Sequence, residues 1–326
     1  MLQVCRMWGW VVPCVEAGLA SLSPDTVADW GCGLATSCRH RHPATLAPLL
    51  QALTSHLLTG GTTSFREAAR LYVLQVGSAG IASCIILLPP QGVLAQQRWR
   101  AGPLLCSLLA QLRPLLAHPY HNIRCRLAAA LTNIFAFDLE FEGHGNANKS
   151  SPHEEEFVRE MLPLLAPLEE AGAGERREAA LRLLQTLAKW VAGSCLAGVR
   201  GPAPCLLRLL PYLLGQDWQE ADPQLAGDCR LALARLASAP HRASSLAGLL
   251  ATLEQVAASP SWRTRVSSLE FLETLLHSSF MVLSSGQLRP RLVNMVMGAL
   301  NDAQIEVRVQ AAQVIIEDLT ESGREH

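Results

Sequence analysis

Two short stretches carry side chains of the types that do chemistry. In "GCGLATSCRHRHP", Cys32, Cys38, His40 and His42 crowd together. Thiolates and imidazoles at short range are zinc ligands in many proteins, but C-x5-C-x-H-x-H fits none of the common tetrahedral spacings. "RHRHP" reads instead as a solvated turn ahead of Pro43. In "HPYHNIRCRL", His118 and His121 flank a proline just before an apolar run, where one imidazole caps a helix and the other faces water. Glu154, Glu155 and Glu156 fall in the first turn of a helix, where acids complement the macrodipole. Glu169 and Glu170 have no His or Ser motif beside them. There is no G-x-S-x-G, no P-loop and no G-x-G-x-x-G. These residues describe a non-enzymatic interaction protein, with neither metal nor cofactor expected.

The elements around those polar stretches form a repeat. "PLLCSLLAQLRPLLAHPYHNIRCRLAAALTNIF" runs from Pro103, "LAGLLATLEQVAASPSWRTRVSSLEFLETLL" from Leu246, and "LRPRLVNMVMGALNDAQIEVRVQAAQVIIEDL" from Leu288. Each is an amphipathic stretch, a polar break and a second amphipathic stretch, which is the pattern of stacked helical hairpins. In each, an arginine follows the first capping position of the break by six residues: His118 to Arg124, Ser259 to Arg265, Asp302 to Arg308. Ser259 and Asp302 can accept from the free N–H groups of the following helix. Pro119 and Pro260 are expected at its first position, where a missing N–H costs nothing. The arginine can reach back to a carboxylate or carbonyl of a neighbouring repeat. Asp302, Val307, Arg308, Ala311 and Ala312 have HEAT-repeat spacing.

Weaker hairpins near Arg66, Glu175 and Asp228 fill the rest. The fold expected is all-α, an α-solenoid of HEAT-like antiparallel helical hairpins, with residues 1–326 as one domain. The clearest repeats lie at about 103–137, 246–278 and 288–319, with a polar loop at about 140–156. Trp218 and Trp262, near hairpin turns, read as packing or edge contacts. In the last helix Val307, Ala311, Val314, Ile315 and Leu319 form the inner stripe. Ile316 lies off it and calls for a following repeat; Leu2, Trp8, Trp10 and Val11 are a second apolar end.

Bulk composition narrows the partners. The 326 residues carry 27 basic and 28 acidic side chains, a net charge of -1 that gives no general pull on nucleic acid or anionic lipid. Ten cysteines sit singly with no C-x-x-C, as in a reducing intracellular compartment. Leu71 to Leu88 is free of charge and near the minimum membrane-spanning length, but Gln75, Ser78 and two glycines dilute it and "PP" ends it. Two shorter buried helices explain it better, and no membrane partner is expected.

"HPYHNIRCRLAAALTNIF", then "SPSWRTRVSSLEFLETLLHSSFMVL", then "NDAQIEVRVQAAQVI" resemble, in order and spacing, the C-terminal part of the large Blm10-like HEAT-repeat proteasome activators. The resemblance runs from about Ala101 to Leu319, and "DTVADWGCGLATSCRHRHP" is compatible with it. It implies a solenoid that domes over the 20S proteasome core in nucleus and cytoplasm. There it would open the gate without ATP, admit unfolded substrates or acetylated histones, and connect to histone degradation and DNA repair. The family's chains are several times longer, so a fragment, short isoform or truncated paralogue is expected. Family members end in a hydrophobic–Tyr–any-residue tail. This sequence ends "LTESGREH", so autonomous gate opening is not expected. The family's acetyl-lysine-reading Tyr-Asn pair falls on Ser278 and Ser279, which leaves Phe271, Ser279 and Phe280 as the residues of that region. A generic HEAT scaffold or adaptor is the alternative reading, and a small protein anchored by Leu71 to Leu88 is the third.

Overall fold

A computed structural model describes residues 109–110, 112–141, 152–170, 174–197, 202–283 and 288–324. Every element among them is helical. The chain divides into two compact units, Met1–Gly143 and His144–His326, where the sequence reading has one solenoid. The Cys32, Cys38, His40 and His42 group, the Leu71 to Leu88 stretch and the Leu2 to Val11 end lie outside the described residues.

In the first unit, helix α1 (His121–Phe141) follows a short 3-10 turn at Arg113–Leu115. Ile123, Leu127 and Leu131 recur every four residues and so share one face; with Phe135, Leu112 and Leu116 they are almost wholly buried. Burying each such side chain is worth roughly 1.5–3 kcal/mol.

The second unit is built of antiparallel hairpins. Its α-helices are α2 (Pro152–Leu165), α3 (Gly174–Ala197), α4 (Leu210–Gln216), α5 (Pro223–Ser238), α6 (Ala243–Ala257), α7 (Trp262–Leu283), α8 (Leu288–Ala299) and α9 (Ile305–Arg324). A 3-10 segment, Pro204–Leu209, leads into α4. The pairs α2/α3, α4/α5, α6/α7 and α8/α9 form four consecutive hairpins among the described residues. Their second helices stack on one another in the order α3, α5, α7, α9, and the first helices form a parallel layer that includes the Pro204–Leu209 segment. Two layers built only from neighbouring hairpins make this unit an α-solenoid of HEAT-like hairpins.

The local signals explain the boundaries. Asp222 caps α5, accepting from the Leu225 N–H at 2.9 Å, with Pro223 at the next position. Pro152 and the first-turn acids Glu154 and Glu155 open α2. α1 continues to Phe141, so both ends of the loop expected over about 140–156 are helical. Gly174 enters α3 at φ +50, a conformation that costs glycine little.

Candidate interaction site

The residues that hold the hairpins together also make the most defined polar surface, along the breaks between paired helices. The amides of Arg124, Arg265 and Arg308 donate to the carbonyls of Tyr120, Ser261 and Gln304, so each arginine lies one turn inside its helix. From there the guanidinium folds back over the first turn. Nη1 of Arg124 reaches the carbonyls of His118 at 2.6 Å and Pro119 at 2.8 Å. Nη1 of Arg265 reaches Ser259 at 2.7 Å and Pro260 at 3.4 Å. Nη1 of Arg308 reaches Asp302 at 2.7 Å and Ala303 at 3.1 Å. One geometry therefore recurs in both units.

Some details differ from the sequence reading. The carbonyls belong to the arginine's own break, not to a neighbouring repeat. Pro119 and Pro260 stand two residues ahead of the helix start, inside the break. Ser259 Oγ accepts from the Ser261 N–H at 3.3 Å, and Asp302 Oδ1 from the Gln304 N–H at 2.9 Å, which tightens the break itself. His118 Nδ1 likewise accepts from the Tyr120 N–H at 3.1 Å, and His121 Nε2 lies 3.1 Å from Cys125 Sγ. The polar front of "HPYHNIRCRL" is occupied with helix initiation.

A second set of bonds joins adjacent hairpins. Arg265 donates to both oxygens of Asp302, Nε to Oδ2 at 2.7 Å and Nη2 to Oδ1 at 2.8 Å. The guanidinium beside Asp302 holds that carboxyl below the usual range. Arg291 of α8 grips Glu254 of α6 in the same two-pronged way, at 2.9 and 2.7 Å, and lowers its pKa. Gln310 donates to Glu273 at 2.6 Å. Between α3 and α5, Lys189 and Gln185 both donate to Asp228, at 2.6 and 2.8 Å, and Arg235 donates to the Ala192 carbonyl at 3.0 Å. Neither Asp228 nor Lys189 is signalled by a motif; their separation of 39 residues, about one repeat, is the only trace in the sequence.

A groove of about 490 Å³ lies between the third and fourth hairpins, lined by Leu269, Met295 and Val307 and by the two arginine–carboxylate pairs. Ser268 lines it too, but its hydroxyl donates to the Arg265 carbonyl at 2.7 Å.

A smaller cleft of about 130 Å³ between α5 and α7 gathers Asp217, Arg230, Ser267, Glu270 and Phe271. Asp217 is buried and its Oδ1 has no hydrogen-bond partner. Burial, against a bond from Ser267, pushes its pKa up to about 7, and the Glu270 charge adds to the rise. Trp218 donates to Ser267, which ties the α4–α5 turn to α7. Phe271 lines this cleft, whereas Ser279 and Phe280 do not. Ser279 is buried at a kink in α7 (φ −130, ψ 22), and Ser278 donates to the Ala237 carbonyl at 2.6 Å. Glu154, read from the sequence as part of a solvated helix end, is buried, while Glu155 pairs with Arg208 at 3.2 Å.

No group of three or more metal-ligating side chains is assembled among the described residues, and no described helix is long and apolar enough to cross a membrane. Stacked hairpins and clamped breaks define the described residues as a HEAT-type helical repeat.

The comparisons with known proteins narrow the class. The family described as proteasome activator complex subunit 4-like, HEAT repeat-like, matches residues 1–76. Proteasome activator complex subunit 4B of Danio rerio is 34% identical over 331 residues, covering 96% of this chain and 17% of that protein. Proteasome activator complex subunit 4 of Homo sapiens is 32% identical over 334 residues, with the same coverage. The chain is similar to part of these proteasome activator complex subunit 4 proteins and spans about a sixth of their length. The likeness read between Ala101 and Leu319 thus extends through the first part of the chain as well. Among solved structures, Kap121p bound to RanGTP aligns with a TM-score of 0.45 at 16% identity, over 93% of this chain and 34% of that one.

Proposed function

We propose that this chain is a non-enzymatic regulator of ATP-independent protein degradation that associates with the 20S proteasome core. One observation carries the reading: sequence identity near one third to proteasome activator complex subunit 4 proteins, sustained over 96% of the chain. The physics is in keeping with it. Hairpins stacked by neighbour contacts offer a long binding surface, and any peptide bond would be cut by the core. Acetylated histones are the substrate class this reading adds. The nucleus and cytoplasm are the compartments, in keeping with the free thiols of Cys125, Cys195, Cys205 and Cys229.

The test is co-sedimentation of the purified full chain with latent 20S core, with peptidase activity followed in the same samples. The chain is expected to travel with the core. Failure to do so at tens of micromolar would leave the alternative, a HEAT-repeat scaffold for other proteins, as the better reading; the repeats alone favour it.

A further inference from the structure

Asp217 follows directly on α4 and is 6% exposed, yet its Oδ1 has no hydrogen-bond partner. A buried carboxylate oxygen without a partner is costly, and each such atom calls for an explanation. Asp217 is not sealed in apolar packing, because it lines the cleft of about 130 Å3 between α5 and α7. That is room for a few waters, or for one charged group on a short stem.

Burial sorts the lining residues into two levels. Asp217, Ser267, Leu233 and Phe271 are buried and form the inner end, while Arg230 and Glu270 are exposed and stand at the mouth. Arg230 and Leu233 lie three residues apart on α5, and Ser267, Glu270 and Phe271 three and four apart on α7. One stripe of each helix therefore walls the space.

Charge narrows what fits. With both carboxyls ionised, Asp217 and Glu270 outweigh the single guanidinium of Arg230, so a cation is favoured. A divalent ion needs about six oxygen ligands, and two carboxyls beside an arginine do not supply them. A guanidinium seeks both oxygens of a carboxylate, but Ser267 already bonds the Asp217 carboxyl and leaves Oδ1. An ammonium is compact and is satisfied by single oxygens. The χ2 angle of an aspartate is broad, so a small turn presents Oδ1 to the space. Leu233 and Phe271 offer apolar walls to an alkyl stem.

We propose that the cleft between α5 and α7 binds a primary alkylammonium. Asp217 accepts from the charged nitrogen at the inner end, Glu270 adds a second carboxylate at the mouth, and Leu233 and Phe271 enclose the stem. Two sources carry such a group, a free amine and the side chain of a protein lysine. Lys189 of this chain is not the occupant, since it donates to Asp228. Both walls belong to the second unit itself, and the site is the same whether or not the chain meets the proteasome core.

The experiment is saturation-transfer NMR of the purified full chain at pH 8. The probes are n-butylamine for the free amine and a capped Ala-Lys-Ala tripeptide for the lysine side chain. Dissociation constants of roughly a millimolar are expected for so small a contact. Norleucine or Nε-acetyl-lysine in place of the lysine should weaken binding about tenfold or more, and arginine should weaken it too. Asp217→Asn should weaken both amine probes about tenfold and Glu270→Gln less, with circular dichroism showing an intact fold. Butylamine should also bind several-fold tighter at pH 8 than at pH 5.5. The amine stays charged over that range, whereas the Asp217 carboxyl loses its proton near pH 7. It does so facing Arg230 of α5 and Glu270 of α7, to which Glu273 adds its charge. A tripeptide that binds about tenfold tighter than butylamine assigns the site to protein lysines, and equal affinities assign it to free amines. Four results would overturn the proposal. They are no binding of either probe at tens of millimolar, which leaves water as the occupant; equal binding of norleucine; binding indifferent to Asp217→Asn; and Asp217-dependent binding of calcium or magnesium instead.

Discussion

Arg265 and Asp302 form a two-pronged ion pair across the boundary between adjacent hairpins, at 2.7 and 2.8 Å, while the arginine's third nitrogen closes its own break on Ser259. One side chain thus joins two levels of structure, the shape of a turn and the stacking of repeats. Both side chains are about six-sevenths shielded, at 15% and 14% exposed, so water weakens the pair little.

Replacing Arg265 should therefore cost more than replacing its counterpart. Arg265→Ala is expected to lower stability by roughly 2–3 kcal/mol, leaving a shielded carboxylate without its guanidinium, and Arg308→Ala by about 1 kcal/mol. Urea unfolding followed by circular dichroism measures both. Equal losses would mean that the cross-hairpin bond adds nothing to the break.

The same pair predicts an acid limb. Arg265 depresses the Asp302 pKa, so the stabilisation is present above the unfolded value of about 4 and is lost as pH falls through the folded value. Asp302→Asn should flatten the melting temperature profile below about pH 4. A variant that follows the wild-type profile there would place the acid sensitivity elsewhere.

Asp217 predicts the opposite slope. Its pKa is raised to about 7 by burial, so its contribution is full below the unfolded value of about 4 and is gone once pH exceeds about 7. Asp217→Asn should melt at a higher temperature than wild type at pH 8 and close to it at pH 4. No difference at pH 8 would show that water enters the cleft and solvates the carboxylate.

Thiol reactivity should follow burial. Cys205 and Cys229 are buried, and burial raises the thiols of Cys195, to about 11, and of Cys229. Iodoacetamide at pH 7.5 should label these three slowly in the native chain and quickly in urea, as read by peptide mass spectrometry. Fast native labelling of Cys229 would mean that α5 opens far more often than its packing implies.

The sequence displayed what repeats and hid what is brought together. The arginine six residues after the break is legible because both partners lie within one turn, so spacing alone fixes the contact. The apolar stripes of α7 and α9 are legible for the same reason, and Ile316 already stood out as off the stripe. Asp217, Ser267 and Glu270 are different. They meet because α4, α5 and α7 stack, with up to 49 residues between the α4–α5 turn and the serine that the neighbouring Trp218 holds, and no local pattern marks such a pair. The burial of Glu154 was hidden too, since its helix position suits a solvated acid equally well.

Among the described residues of the second unit, the side-chain bonds traced between hairpins span 37 to 53 residues and join a hairpin to the next. Strength in such an array is a property of single junctions, as in a chain of links, and opening can begin at one junction and stop at any other strong enough to hold. The Arg265–Asp302 pair sits at the junction of the third and fourth hairpins, the last among the described residues. A hydrogen-exchange experiment would therefore find the slowest amides in α5 and α7, and it would find α9 loosening without its neighbours whenever nothing lies against it.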